Sequence, residues 1–246
     1  MTGTPEGGLI ALVTGANKGL GREIARQLGA RGATVLLGAR DAQRGKLAAE
    51  ALAAEGLDAH PLPLDVTDPA GVADAAATID GLYGRLDILV NNAGINGTFH
   101  GPPSAATAEQ LREVYETNVF GVLTVTNAML PLLRRSPAGR IVNMSSAVGS
   151  LTLNADLSGG FGDYNLVTYQ SSKTALNALT LAYARELRDT PIKVNAANPG
   201  FTATDMNNHR GHQTVEQGAV TAVRLALLPP DGPTATSQDE SGPIPW

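Results

Sequence analysis

Tyr169 and Lys173 stand four residues apart in Thr168-Tyr169-Gln170-Ser171-Ser172-Lys173. On a helix that spacing stacks the two side chains on one face, one turn apart. A free phenol, with a pKa of about 10, is a poor base at neutral pH. A lysine ammonium beside it, together with a cationic ring, would favour the phenolate and bring that value down. In the opposite direction the same phenol gives its proton to a carbonyl oxygen as hydride arrives. Of the five tyrosines, Tyr83, Tyr115, Tyr164, Tyr169 and Tyr183, only Tyr169 has a lysine at this spacing. Ser145 and Ser146 follow a strand-like run at 140–144, where a hydroxyl can stabilise charge developing on such an oxygen. Asn118, in Thr117-Asn118-Val119-Phe120-Gly121, falls in a helical pattern although asparagine is a poor helix former. Either it is a tolerated helix residue or its amide has a task.

A second motif offers a place for the hydride carrier. Thr14-Gly15-Ala16-Asn17-Lys18-Gly19-Leu20-Gly21 follows an apolar run and opens a helical pattern. Glycines at 15, 19 and 21 let the backbone turn tightly and approach a pyrophosphate, while a helix N-terminus offers free N–H groups. The bland alternative is a turn that merely joins strand to helix, and no Gly-x-x-x-x-Gly-Lys-Ser/Thr phosphate loop is present. Sites that take NAD place a carboxylate at the end of the second strand. Here that position is Ala39, Arg40 follows, and Lys18 would face the same pocket. Two cations with no opposing carboxylate favour a 2′-phosphate, hence NADP(H); the alternative is that both are ordinary surface charges. Asp65-Val66 and Asn91-Asn92-Ala93-Gly94 close the third and fourth strands on the same edge. Asp65 could accept from an adenine amino group, or cap the helix at Pro69, a task that Asp68 fits better. Small Ala93 and Gly94 would let a cofactor pass close to the backbone.

These motifs need a frame, and the hydrophobic pattern supplies one. Strands are expected at 9–13, 34–37, 59–64, 86–90, 140–144 and 193–197, with the third made irregular by Pro61 and Pro63. Helices are expected at 19–30, 42–54, 69–83, 108–133, 169–188 and 215–227. Strand-helix alternation of this kind predicts an α/β fold, a doubly wound parallel sheet with helices on both faces, as one domain over 1–246. Residues 150–168 form an insertion too long for an ordinary connection, and such loops usually carry function. Residues 234–242 make a poor strand, so a short or distorted last strand is expected.

The 246-residue chain is 43% hydrophobic, with no cysteine and a net charge of −5. No apolar stretch approaches the ~18 residues that span a bilayer, which argues against a membrane partner. Residues 1–7 lack the pattern of a signal peptide and read as a loose tail. The missing cysteines exclude disulfides and thiolate metal sites and fit a cytoplasmic location. The acidic balance, without a basic stripe, argues against nucleic acid. His209-x-x-His212 has no third ligand nearby, so no metal is expected.

Jointly and in order, the motifs resemble those of the short-chain dehydrogenases/reductases over residues 9–228. They are Thr14-Gly-x-x-x-Gly-x-Gly21, Asp65, Asn91-Asn-Ala-Gly94, Asn118, Ser145-Ser146, Tyr169-x-x-x-Lys173 and Asn198-Pro199-Gly200. The resemblance implies a Rossmann fold and a catalytic set of Asn118, Ser146 rather than Ser145, Tyr169 and Lys173. It implies that Asn118 holds a water linking Lys173 to solvent, and that Lys173 also binds the nicotinamide ribose. Gly15, Asn17, Lys18, Gly19, Leu20, Gly21, Arg40, Asp65, Val66, Asn92, Ala93 and Gly94 would line the cofactor, with Pro199, Gly200 and Thr202 beside its carboxamide. Within the family the chain is similar to NADPH-dependent carbonyl reductases of the monomeric type, through Asn17-Lys18-Gly19, Ala39-Arg40-Asp41, Leu227-Leu228-Pro229-Pro230-Asp231 and the terminal Trp246. Its gap between Ser146 and Tyr169 is longer than the family's usual one and shorter than theirs. The implied function is NADPH-dependent reduction of a small ketone or aldehyde, with Tyr169 as proton donor. A pathway-specific ketoreductase or alcohol dehydrogenase would share every residue, whereas a non-catalytic NADP-sensing regulator would not keep them all. The family's pairing helices correspond to 108–133 and 169–188, where Val122, Val125, Met129, Leu176, Leu179 and Tyr183 extend beyond one core face. Leu151, Leu153, Leu157 and Phe161 of the insertion could cover that surface, so a monomer is favoured over a homodimer or homotetramer.

Overall fold

The computed structural model describes residues 8–158 and 166–246. The expected tail at 1–7 and the centre of the insertion, with Phe161, lie outside the described residues. Eight strands form one sheet in the order β3-β2-β1-β4-β5-β6-β7-β8. They are β1 (Ile10–Thr14), β2 (Thr34–Ala39), β3 (Ala59–Pro63), β4 (Ile88–Asn91), β5 (Arg140–Met144), β6 (Lys193–Ala197), β7 (Ser237–Asp239) and β8 (Gly242–Pro243). Every pairing is parallel except that of β8 with β7. The helices are α1 (Gly19–Gly29), α2 (Ala42–Ala54), α3 (Pro69–Tyr83), α4 (Ala108–Tyr115), α5 (Gly121–Leu133), α6 (Leu151–Asn154), α7 (Val167–Glu186) and α8 (Val215–Ala226). The doubly wound parallel sheet expected from the alternation is the observed fold.

Side-chain alternation along each strand decides which helix packs where. In β1, Ala11 and Val13 join a core under α1, α2 and α8, while Ile10 and Leu12 join a second core under α3, α5 and α7. Burying a leucine or isoleucine of this kind contributes about 1.5–3 kcal/mol, so both faces must be covered. The chain steps outward through β2 and β3, then crosses to β4 and steps the other way. Strand order therefore reverses between β1 and β4, and the crevice beyond their carboxyl ends is where such sheets bind ligands.

Three local features depart from the sequence pattern. The prolines do not disturb β3, which pairs in register with β2 from Val35–Ala59 to Ala39–Pro63. As an edge strand, β3 turns the nitrogens of both Pro61 and Pro63 away from its one neighbour, so no ladder bond is lost. The helix expected over 108–133 is broken by a π turn, Glu116–Phe120, centred on Asn118. Val122, Val125, Met129, Leu176 and Tyr183 are buried within the chain, not left beyond its core face. The reason is that α5 and α7 pack on each other as well as on the sheet, and the Tyr183 hydroxyl donates to Asn127 at 2.7 Å. Phe120 and Leu123 remain exposed on this side, and Leu151 and Leu157, expected as anchors over this surface, are themselves 68% and 88% exposed, because the short α6 and the turn after it carry them outward and not onto α5 and α7.

Polar ties fasten the opposite end of the sheet. The buried Asp87 carboxylate accepts from the Ile10 amide at 2.9 Å and from the Ser136 hydroxyl at 2.6 Å. Asp87→Ala strands both donors out of water and should cost about 3 kcal/mol, read as a lower urea midpoint with an unchanged slope.

Candidate active site

The site forms at the carboxyl end of β5, where α7 crosses it. Lys173 is 5% exposed, and its ammonium donates to the Met144 carbonyl at 2.7 Å, tying α7 to the last residue of the strand. The same ammonium stands over the Tyr169 ring, 5.4 Å from its centroid, within cation–π range. The two serines that follow β5 separate in role. Ser145 is buried and donates to Asn177 at 2.6 Å, an anchor for the chain. Ser146 is half-buried and its hydroxyl lies beside the Tyr169 phenol.

Burial sets both proton affinities. It pushes the Tyr169 phenol up to about 12, with the Ser146 hydrogen bond acting in the lowering direction. It brings the Lys173 ammonium down to about 8. In the chain by itself the ammonium faces the ring and loss of solvent prevails; the expected lowering draws also on the charge of an oxidised nicotinamide and applies to the loaded site. The phenol is consequently neutral at physiological pH, the form that donates a proton.

Asn118 is fully buried in the π turn, a geometry frequent at functional sites. Its Oδ1 accepts from the Ile95 amide and its Nδ2 donates to the Ile95 carbonyl, both at 2.9 Å. The same Nδ2 donates to the Ser172 hydroxyl at 3.0 Å. The amide thereby acts as a strand-like partner for the chain leaving β4 and holds it against α7. Below it, Asn91 donates to Thr126 and to Asn143, and Asn143 donates to Thr180, at 2.9–3.1 Å. This buried polar ladder escaped the sequence reading, although asparagines inside two apolar strands were its signal.

Across the crevice the glycine turn lies at the end of β1. Gly15 and Gly19 have φ of +64° and +54°, conformations that favour glycine, and a Cβ on Gly15 would stand 3.0 Å from the Ala93 backbone. Asn92 serves this turn: its amide donates to the Thr14 carbonyl at 2.8 Å, and the Thr14 hydroxyl accepts from the backbone of Asn92 and Ala93. Where Asp41, Asp68, Thr107 and Thr214 cap their helices with side-chain acceptors, Lys18 offers none to α1. The first N–H groups of α1 thus face the crevice uncapped, as a pyrophosphate would need. Leu20 packs on the core behind the turn, and Asn17 is half-buried within it.

The remaining residues surround the same crevice. Asp68 caps α3, and Asp65 instead accepts from the amide and hydroxyl of Thr67 at 3.0 and 2.7 Å. Val66 is buried against Gly121. Gly94 leaves room above α7, since a Cβ there would stand 3.6 Å from the Lys173 ammonium. Arg40 is exposed at the end of β2, beside buried Ala39. Lys18 is drawn to Asp205, at 2.6 Å, a partner no local pattern shows. Beyond β6, Pro199 accepts from the Thr202 hydroxyl at 2.9 Å, and Gly200 takes a φ of +69° against Gln213. The Gln213 Oε1 is buried and, among the described residues, without a hydrogen-bond partner, an acceptor suited to an amide donor such as a carboxamide. Backbone donors, close-approach glycines and this free acceptor fit a nicotinamide dinucleotide.

Comparison with known proteins agrees with this geometry. A family model described as short chain dehydrogenase matches residues 9–214. The chain is 38% identical over 278 aligned residues to short-chain dehydrogenase/reductase 1 of Saponaria officinalis, with 91% of each chain covered. It is 37% identical over 259 residues to carbonyl reductase (NADPH) 3 of Mus musculus, covering 90% of this chain and 92% of that one. The NADPH-bound carbonyl reductase from chicken fatty liver superposes with a TM-score of 0.83 at 28% identity, over 97% of this chain and 98% of that one. The chain belongs to the short-chain dehydrogenase/reductase family of oxidoreductases, which use nicotinamide cofactors, and resembles its carbonyl reductases.

Tyr169→Phe should keep the fold and cofactor affinity while lowering turnover by about 10²–10⁴, the usual contribution of a positioned proton donor. Circular dichroism, cofactor titration and steady-state rates together check this. Carbonyl reduction should also decline as pH rises through about 8, where Lys173 loses its charge while Tyr169 keeps its proton. A rate that is flat to pH 10 would contradict it.

Proposed function

We propose that the protein is an NADP(H)-dependent carbonyl reductase that reduces small ketones or aldehydes, with Tyr169 as the proton donor. The observation that carries the reading is the Tyr169 phenol beside the Ser146 hydroxyl, kept neutral by loss of solvent, with the Lys173 ammonium 5.4 Å from its ring. A bound dinucleotide supplies hydride. The chain's own residues then have distinct tasks. Ser146 orients the carbonyl oxygen and stabilises charge developing on it. Tyr169 donates its proton to that oxygen, and the Lys173 charge favours the phenolate left behind. The uncapped amides of α1 hold the pyrophosphate, Asp65 the adenine, and Arg40 with Lys18 the 2′-phosphate. In reverse Tyr169 would take the alcohol proton, with the oxidised dinucleotide as the hydride acceptor. The substrate meets the walls formed by residues 150–158 and 201–213.

We also infer that the chain works as a cytoplasmic monomer. The reading is supported by the inward placement of Val122, Val125, Met129, Leu176 and Tyr183. Light scattering should give a mass near 25.3 kDa, and a dimer or tetramer would overturn it.

Arg40 offers the cleanest test of cofactor choice. A carboxylate at position 39 would be crowded, since Ala39 is 2% exposed and its Cβ lies 2.9 Å from where one on Gly45 would stand. Arg40→Leu should weaken NADPH by about 1.5–3 kcal/mol, the worth of a charged hydrogen bond, and leave NADH unchanged. Equal loss for both cofactors, or none for either, would sink the assignment of a 2′-phosphate to this site.

A further inference from the structure

After β6 the chain turns back over the glycine turn. The Lys18 ammonium meets Asp205 Oδ2 at 2.6 Å, and Asp205 Oδ1 meets His209 Nε2 at 2.9 Å. Next to Asp205, the Met206 carbonyl accepts from the Asn96 amide at 3.0 Å. The Thr204 methyl lies 4.0 Å from where a Cβ on Gly19 would stand. The segment thus reaches the chain leaving β1 and the chain leaving β4, the two sides of the crevice. The Lys18 hydrogen bond and charge, then His209, hold the Asp205 carboxyl below its ordinary range. Asp205 is therefore an anion throughout the neutral range, set against one of the two cations that would meet a 2′-phosphate.

We propose that Asp205 is a positioning residue for cofactor choice, which acts through Lys18 and moderates affinity for a 2′-phosphorylated dinucleotide. The inference rests on the proposed placement of the 2′-phosphate beside Lys18 and Arg40. An ammonium held by a carboxylate must leave it, or share its N–H groups, to meet a phosphate. Arg40, with no ion pair among the described residues, is the uncontested partner. A dinucleotide that carries a ribose hydroxyl in place of the phosphate makes no demand on Lys18, so Asp205 leaves its affinity alone.

Calorimetric titration of the full chain with NADP⁺, NAD⁺ and 2′-AMP tests this without turnover. Asp205→Asn should tighten NADP⁺ and 2′-AMP roughly three- to tenfold at low salt, because an exposed ion pair competes modestly. The gain should shrink as salt is raised, since exposed charges are screened. NAD⁺ should stay within about twofold, and the gain should vanish in Lys18→Met Asp205→Asn, where no ammonium remains to be released. Weaker binding of NADP⁺ and NAD⁺ alike would make Asp205 a structural clasp and overturn the proposal. So would a gain that persists without Lys18, or unchanged NADP⁺ affinity in a protein that otherwise prefers NADP⁺. If the unaltered protein binds NADP⁺ no more tightly than NAD⁺ and Arg40→Leu changes neither, the placement of the phosphate itself fails and takes the proposal with it.

Discussion

The bond from the Lys173 ammonium to the Met144 carbonyl is the contact on which the site depends. A buried ammonium is costly unless it is hydrogen-bonded, and the carbonyl that ends β5 is an acceptor the sheet leaves free at that edge. Meeting that need fixes the depth and rotation of α7 against β5. Tyr169, one turn earlier, is then carried to Ser146, the second residue beyond the strand. The phenol and the serine hydroxyl meet because the lysine between helix and sheet admits few other arrangements.

Around this contact the chain spends polar groups where a purely apolar core would pack more simply. Asn91, Asn143, Thr126 and Thr180 form a satisfied ladder between β4, β5, α5 and α7. Asn118 grips Ile95 from the π turn, and Asn92 with Thr14 clamps the glycine turn to the end of β4. Satisfied buried polar groups specify one arrangement, because any slip leaves a donor or acceptor unpaired. The two halves of the crevice, one for a dinucleotide and one for proton transfer, are thereby held at a fixed separation.

Much of this was legible in the sequence, for identifiable reasons. The strands and helices follow hydrophobic periods, and Tyr169, Lys173 and the glycine turn are local motifs whose geometry needs only a few residues. What was not legible depends on distant partners. The π turn at Asn118 is fixed by Ile95, and Lys18 meets Asp205, 187 positions away, so no local window could show that its charge is shared. The inward placement of Val122 and Tyr183 depends on how α5 and α7 lie together, which periodicity does not encode. The upward shift of Tyr169 in the chain by itself was not legible, because the motif shows the nearby cation and not the burial.

The central claim is that Tyr169 is a neutral acid in the chain by itself, its phenol held above the ordinary range by loss of solvent. Tyrosine carrying ¹³C at the phenol carbon, with Tyr169→Phe to assign its signal, reports that protonation state directly in the protein without cofactor. Titration upward from pH 7 should leave the Tyr169 signal in its phenol form past pH 10, in keeping with a value near 12. A Tyr169 signal that moves to phenolate below pH 9 would show that the lysine charge, not burial, governs the group, and would contradict the account.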